Sequence, residues 1–287
     1  MPNRRGFTLI ELMIALVLLG IVGGVAYQML INTQRLSAAQ AERMSLQSAV
    51  RTGALVVPSE LREVGINAAG VSDLVHIATD SITYNAMRGL GFTCSVTATE
   101  IKLINSVALP FNSLRGVSVG RDAMLIYVDN DPATDGDDQW IEAPVNAVAT
   151  STCGGTAAIA ITTDDITGSI SSGTLDAVVV GGPVRTFEVM RLKLYTVDGQ
   201  NWLGAQSISA GEAVQPALGP LTANGFALAY FDVNGNATTN VADVRSMMVT
   251  LRGVTERPIA SGGNIGGNTY VQDSLVARVM LRNAPRL

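Results

Sequence analysis

The chain has 287 residues, 15% charged and 47% hydrophobic, with a formal net charge of −5; that length holds one large domain or two small ones. A net acidic chain lacks the excess of Lys and Arg that strong nonspecific binding to nucleic acid requires. With a single histidine and two cysteines, it offers no Cys/His cluster at zinc-ligand spacing, and a Ser–His–acid site would have to be built on His76 alone.

The chain opens with a short basic head, Arg4 and Arg5, then Gly6 and Phe7, then a long apolar run. From Leu12 to Ile31 there is no charge, and Gln28 is the only strongly polar side chain. Twenty such residues suit a helix that spans a bilayer. Glu11 is the anomaly: an acid at the centre of such a helix costs about 2.5–3.5 kcal/mol on insertion scales, and an ionisable residue there points to function. On these residues alone three readings stay open. One is a secretory signal peptide cut near Gly24-Val25-Ala26, one is a plain anchor, and one is a specialised segment that needs Glu11.

Gly6-Phe7-Thr8-Leu9-Ile10-Glu11-Leu12, after its basic leader, resembles the class III leader of type IV prepilins and pseudopilins. That resemblance implies a cut by prepilin peptidase between Gly6 and Phe7, methylation of the new amino terminus, and an assembly role for Glu11 as the fifth residue of the mature chain. It also implies other minor and major pilins and an inner-membrane assembly platform as partners, with the carboxy-terminal part in the periplasm. Without Arg4 and Arg5 the mature chain carries 17 basic and 24 acidic side chains.

Beyond the membrane stretch the pattern predicts a continued helix. Leu36, Ala39, Leu46, Val50, Ala54, Val57, Leu61 and Val64 form one apolar stripe at mostly three- and four-residue steps. Pro58 predicts a kink or break, and Gly65 a stop. The chain then turns to short alternating runs. Strands are expected at 81–86, 99–104, 123–129, 174–180, 191–195, 226–232, 244–251 and 275–281, with hairpin turns at Asp198-Gly199 and Asn234-Gly235. Exposed loops are expected at 129–138 and 260–268. The fold class is α+β: a long amino-terminal helix packed on an antiparallel, β-rich domain. The expected divisions are a leader at 1–6, a membrane or filament-core helix at 7–31, an amphipathic helix at 32–66 and a β-rich domain at 67–287.

With no second membrane segment after residue 31, that domain is expected outside the cytoplasm, where disulfides persist, and Cys94 and Cys153 are expected to pair. The acidic stretch with Asp129, Asp131, Asp135 and Asp137 is a weak calcium candidate: its spacing is not that of an EF-hand, and exposed acidic loops are commonly just solvated. The glycine pairs are not followed by the Gly-Lys-Ser/Thr of a phosphate loop. No cofactor and no catalytic activity are expected.

Phe226 to Asp232, the Asn234-Gly235 turn, Val244 to Leu251 and Val279-Met280-Leu281-Arg282-Asn283 look like the late hairpin and terminal strand of the W-type minor pilins, which are related in fold to the J-type pseudopilins of type II secretion. That implies a low-abundance subunit that starts or caps a type IV pilus. The alternatives are a J-type secretion pseudopilin and a pilus-associated adhesin.

Overall fold

A computed structural model describes residues 8–65, 72–131, 133–134, 137–260 and 268–282. Helix α1 (Leu9–Arg62) is one continuous element of 54 residues, about 80 Å long at 1.5 Å per residue. Ala39, Leu46, Val50, Gly53, Val57, Pro58 and Leu61 are its buried residues, so the apolar stripe faces the sheet as its spacing predicts. Leu36 is the exception. It is 61% exposed because contact with the domain begins only at Ala39.

Of the kink or break expected at Pro58, the break does not occur: the helix continues through it. Pro58 is itself buried beside Val57 and Leu61, and its packing against the sheet outweighs one missing backbone hydrogen bond. Two glycines let helix and sheet approach closely. A Cβ on Gly53 would lie 2.3 Å from a Leu218 methyl, and one on Gly253 would lie 2.6 Å from both Leu46 and Val50.

Beyond the helix come β1 (Leu74–Ile77), β2 (Ser81–Val96), β3 (Glu100–Ile104), β4 (Asn112–Ser113), β5 (Ala123–Val128), β6 (Gln139–Pro144), β7 (Ala147–Cys153) and β8 (Thr156–Thr162). They are followed by β9 (Pro183–Val197), β10 (Gln200–Ser207), β11 (Gln215–Phe231), β12 (Ser246–Val254), β13 (Ile259–Ala260), β14 (Asn268–Thr269) and β15 (Gln272–Met280). The main sheet runs β15-β12-β11-β10-β9-β2-β3-β8-β7, with β1 and β4 on β2, and β5 joining β9 to β6. Every pairing between these strands is antiparallel, and an isolated parallel bridge joins Gly65 to Arg282. The α+β class is therefore as the sequence implies.

Two expectations about the strands are corrected. Residues 174–180 do not form a strand: Leu175–Ala177 is a short 3₁₀ turn, and Ala177 and Val178 are buried in the core. A short apolar run signals burial without specifying strand pairing. Asp198-Gly199 closes a tight hairpin with both residues at positive φ, 51° and 76°, as the turn type requires. Asn234-Gly235 also turns the chain, with the Asp232 carboxylate accepting from the backbone N–H of Asn234 and Asn236. A further 3₁₀ turn at Val241–Asp243 then delays β12 until Ser246.

Strands β2 and β9 form the spine. They pair from Ser81↔Lys193 to Phe92↔Pro183, and each changes its outer partner along its length. β9 pairs with β10 near its carboxyl end and with β5 near its start. One apolar core gathers Val57, Leu61 and Val64 with Tyr84, Phe226 and Met247. The other gathers Ile101, Leu103, Met124, Ile126 and Ile161 from β3, β5 and β8, away from the helix.

At the middle of the spine the register slips between Met87 and Gly89, leaving Arg88 as an extra residue. Such a bulge re-aims a side chain, and here Arg88 Nε reaches Glu188 Oε2 at 3.0 Å. Glu188 also accepts from Arg115 at 3.0 Å and from Arg121 at 2.7 Å. Arg115 holds Asp122 with two bonds, at 2.7 and 2.8 Å, and Arg121 also binds Glu212. Arg88 Nη1 lies 3.8 Å from Glu60 on α1. The network thus connects the helix end, both spine strands and the segment before β5.

Burial pushes the Glu188 carboxyl up, but hydrogen bonds from Ser207, Arg121, Arg88 and Arg115 outweigh it and hold the pKa at about 2, against an ordinary 4.5. A depressed carboxylate contributes stability that is complete above its ordinary pKa and is lost as pH falls through its folded value. The urea midpoint of the detergent-solubilised chain is expected to fall between about pH 6 and about pH 3. Glu188→Gln should lose about 3 kcal/mol at neutral pH by leaving its arginines without a counter-charge, and should show a shallower fall on acidification.

Candidate functional site

The candidate site is the amino-terminal end of α1. The helix starts at a capping box. The Thr8 hydroxyl accepts from the Glu11 N–H at 3.4 Å, while the Glu11 carboxylate accepts from the Thr8 N–H at 2.9 Å and the Thr8 hydroxyl at 3.0 Å. Two donors left over at the helix start are thereby satisfied, and an anion sits where the helix dipole favours one. Glu11 is thus bonded within its own chain. Its carboxylate is folded back on the helix end at Thr8. Gly6 and Phe7, the expected cut site, lie outside the described residues.

From Leu9 to Leu30 every side chain of α1 is exposed. Leu9 is 80% exposed and Leu19 68%. The segment is long and apolar enough to cross a membrane. Above it the same helix becomes the sheet's packing partner. One rigid rod therefore joins an uncovered apolar half to a folded domain.

The other sequence-derived candidates are placed as follows. Cys94 and Cys153 are bonded, with Cα atoms 6.2 Å apart. The bond ties β2 to the end of β7, the outermost strand on that side of the sheet. Of the acidic set, Asp129 and Asp137 come together with Asp138, their carboxylate oxygens within 4.8 Å of one another. Asp131 does not join them. It closes its own turn by accepting from Ala133 N at 3.1 Å and Thr134 Oγ1 at 3.4 Å. Asp135 lies outside the described residues. Clustered surface acids are common without an ion, and these three carry no metal assignment. His76 is exposed on β1 and belongs to no acid–base constellation among the described residues. The network around Glu188 was not legible in the sequence, because its members are up to a hundred residues apart and no spacing rule connects them.

The fold and this end define a class: an α+β protein carried on one long helix with a membrane-length apolar half and an acid at its start. Residues 1–27 match the family model described as the prokaryotic N-terminal methylation motif. The match supports the type IV pilin and pseudopilin family, whose leaders are handled by prepilin peptidase and the pilin assembly machinery. No curated protein and no solved structure matches this chain.

The bond between Cys94 and Cys153 spans 59 residues of sequence, a loop for which chain entropy accounts for about 4 kcal/mol. Thiol labelling of denatured, unreduced protein is expected to find no free thiol. Reductant should lower the urea midpoint, and an unchanged midpoint would contradict this account.

Proposed function

We propose that this chain is a minor pilin, a non-catalytic, low-abundance subunit that starts or caps a type IV pilus. On this reading it sits in the inner membrane by α1, with its sheet domain in the periplasm. It is cut after Gly6 by prepilin peptidase, methylated on Phe7, and handed to other pilins at the assembly platform. One observation carries the reading: the methylation motif at residues 1–27 leads directly into a 54-residue helix that keeps Glu11 at its start and leaves its apolar half uncovered. A signal peptide has no use for such continuity, since cutting near Ala26 would sever the rod. A mere anchor has no use for the acid.

Glu11 then serves assembly. After the cut, the ammonium of Phe7 stands four residues before it in the sequence. In a bundle, the carboxylate meets the ammonium of a neighbouring subunit. An unpaired charge in apolar surroundings is costly, so offsets between subunits that pair these groups win over others. The cap from Thr8 holds the carboxylate at the helix end, where such a neighbour meets it.

Mass spectrometry of the amino-terminal peptide is expected to find a mature chain that begins at N-methylated Phe7. A start at Tyr27 would establish an ordinary signal peptide and end the pilin reading. Glu11→Leu is expected to be cleaved and held in the membrane yet fail to enter filaments, with pilus number reduced in a strain that carries it. A cleaved variant that piliates like the parent would remove Glu11 from assembly. In a deletion strain, lost piliation supports the minor pilin; a secretion defect with normal pili would assign the chain to a secretion pseudopilus instead.

A further inference from the structure

Above the membrane stretch, Ala41, Met44, Ser48, Arg51, Leu55 and Arg62 follow one another along α1 at steps of three, four, three, four and seven. That spacing makes a single stripe of the kind another helix packs against. All six are exposed, Met44 and Leu55 at 69% each, and they lie across the helix from buried Leu46, Val50, Val57 and Leu61, while the step of seven passes Pro58, which the chain's own domain buries. The stripe combines small residues that permit close approach, two apolar knobs and two arginines.

Its charge is one-sided. Arg51 and Arg62 make no hydrogen bond or ion pair among the described residues. The two acids of this part of the helix are turned to their own domain: Glu42 accepts from Glu256 N at 3.1 Å, and Glu60 lies 3.8 Å from Arg88. Residues 32–62 hold four arginines and two glutamates, whereas residues 72–287 hold 13 basic and 20 acidic side chains.

We infer that this stripe seats the long helix of a different subunit, one that carries carboxylates at the levels of Arg51 and Arg62. The inference rests on the pilin reading in one respect, that the two helices rise side by side from one membrane. A second copy of this chain would then set arginine against arginine. An axial offset would part the arginines but would give them no counter-charge, because the stripe itself holds no acid at any level. Like charges brought together in a packed interface suppress the wrong partner. Arg51 stands about 30 Å and Arg62 about 45 Å beyond Ile31 along the helix. Only a partner whose own helix rises that far meets both, which specifies a subunit of the same long-helix architecture.

The test uses the full chain in detergent micelles and needs no pili, so its outcome is independent of leader processing. Met44→Cys is the reporter, the two native cysteines being bonded to each other. The probe for an acidic helix is this chain's own Arg51→Glu/Arg62→Glu variant. Oxidative cross-linking of the parent with that variant is expected to run at least about threefold faster than for either matched pair, since two unlike pairs replace two like ones. About 1 M salt should erase the difference. A neutral Arg51→Gln/Arg62→Gln pair should self-cross-link faster than the parent pair. Parent chains that cross-link with one another as fast as the mixed pair would overturn the inference in favour of self-association. Absence of cross-linking in every combination would overturn it in favour of a solvent face.

Discussion

A single helix with two different surroundings constrains everything else in this molecule. Over its upper part α1 buries one stripe against the sheet, and over its lower part it buries nothing. Fully burying a side chain such as Leu, Val or Ile is worth about 1.5–3 kcal/mol. The twelve such residues from Leu9 to Leu30 therefore demand a cover that the described residues do not provide. One helix also joins the membrane end to the domain without interruption. The rod runs unbroken through Pro58, and at Gly53 and Gly253 helix and sheet approach so closely that an added Cβ would have to displace methyl groups of Leu218, Leu251, Leu46 and Val50.

The sheet holds the helix at its far end as well as along its side. Leaving α1, the chain passes Gly65, whose N–H donates to Asp73 at 2.9 Å, while Arg185 on β9 reaches the same carboxylate at 3.2 Å. Arg282, just past β15, donates its backbone N–H to Val64 and lies 3.3 Å from Glu63. The first and last elements are thus fastened at one point, beside the network around Glu188. Polar groups in such positions are expensive unless fully partnered. Here the partners come from five separate segments, so the network forms only when the spine, the helix end and the segment before β5 are all in place.

These features bear on how such a subunit works in an assembly. A carboxylate capped at the helix start, an apolar half with no internal partner and an arginine-bearing outer stripe all lie on one rod and all face away from the domain. The rigid attachment at the top means that contacts made along the rod set where the sheet domain stands. The second core, held by β3, β5 and β8 and secured through β7 by the bond between Cys94 and Cys153, extends the sheet away from the helix. It places the outer strands where they leave the rod's exposed faces clear.

Much of this was readable from local pattern. The apolar run before Ile31, the acid at position 11 and the motif around Gly6 and Phe7 are contiguous, and contiguous signals survive in one dimension. The stripe from Ala39 to Leu61 was legible because helical periodicity follows from backbone geometry alone. Strands with clean alternation, such as Arg191 to Tyr195, were legible for the same reason. Other features were decided only in three dimensions. Pro58 stayed in the helix because the sheet buries it, and residues 174–180 became a turn because Ala177 and Val178 are buried in a core built by other strands. Asp138 replaced Asp131 in the acidic cluster because Asp131 was taken by its own turn. The joining of Arg88, Arg115 and Arg121 on Glu188 depended on a bulge in β2 and on pairing between segments a hundred residues apart. Local geometry and hydropathy act within a few residues and can be read along the chain. Burial, register and charge pairing act between distant residues, and only the packed structure decides which of them meet.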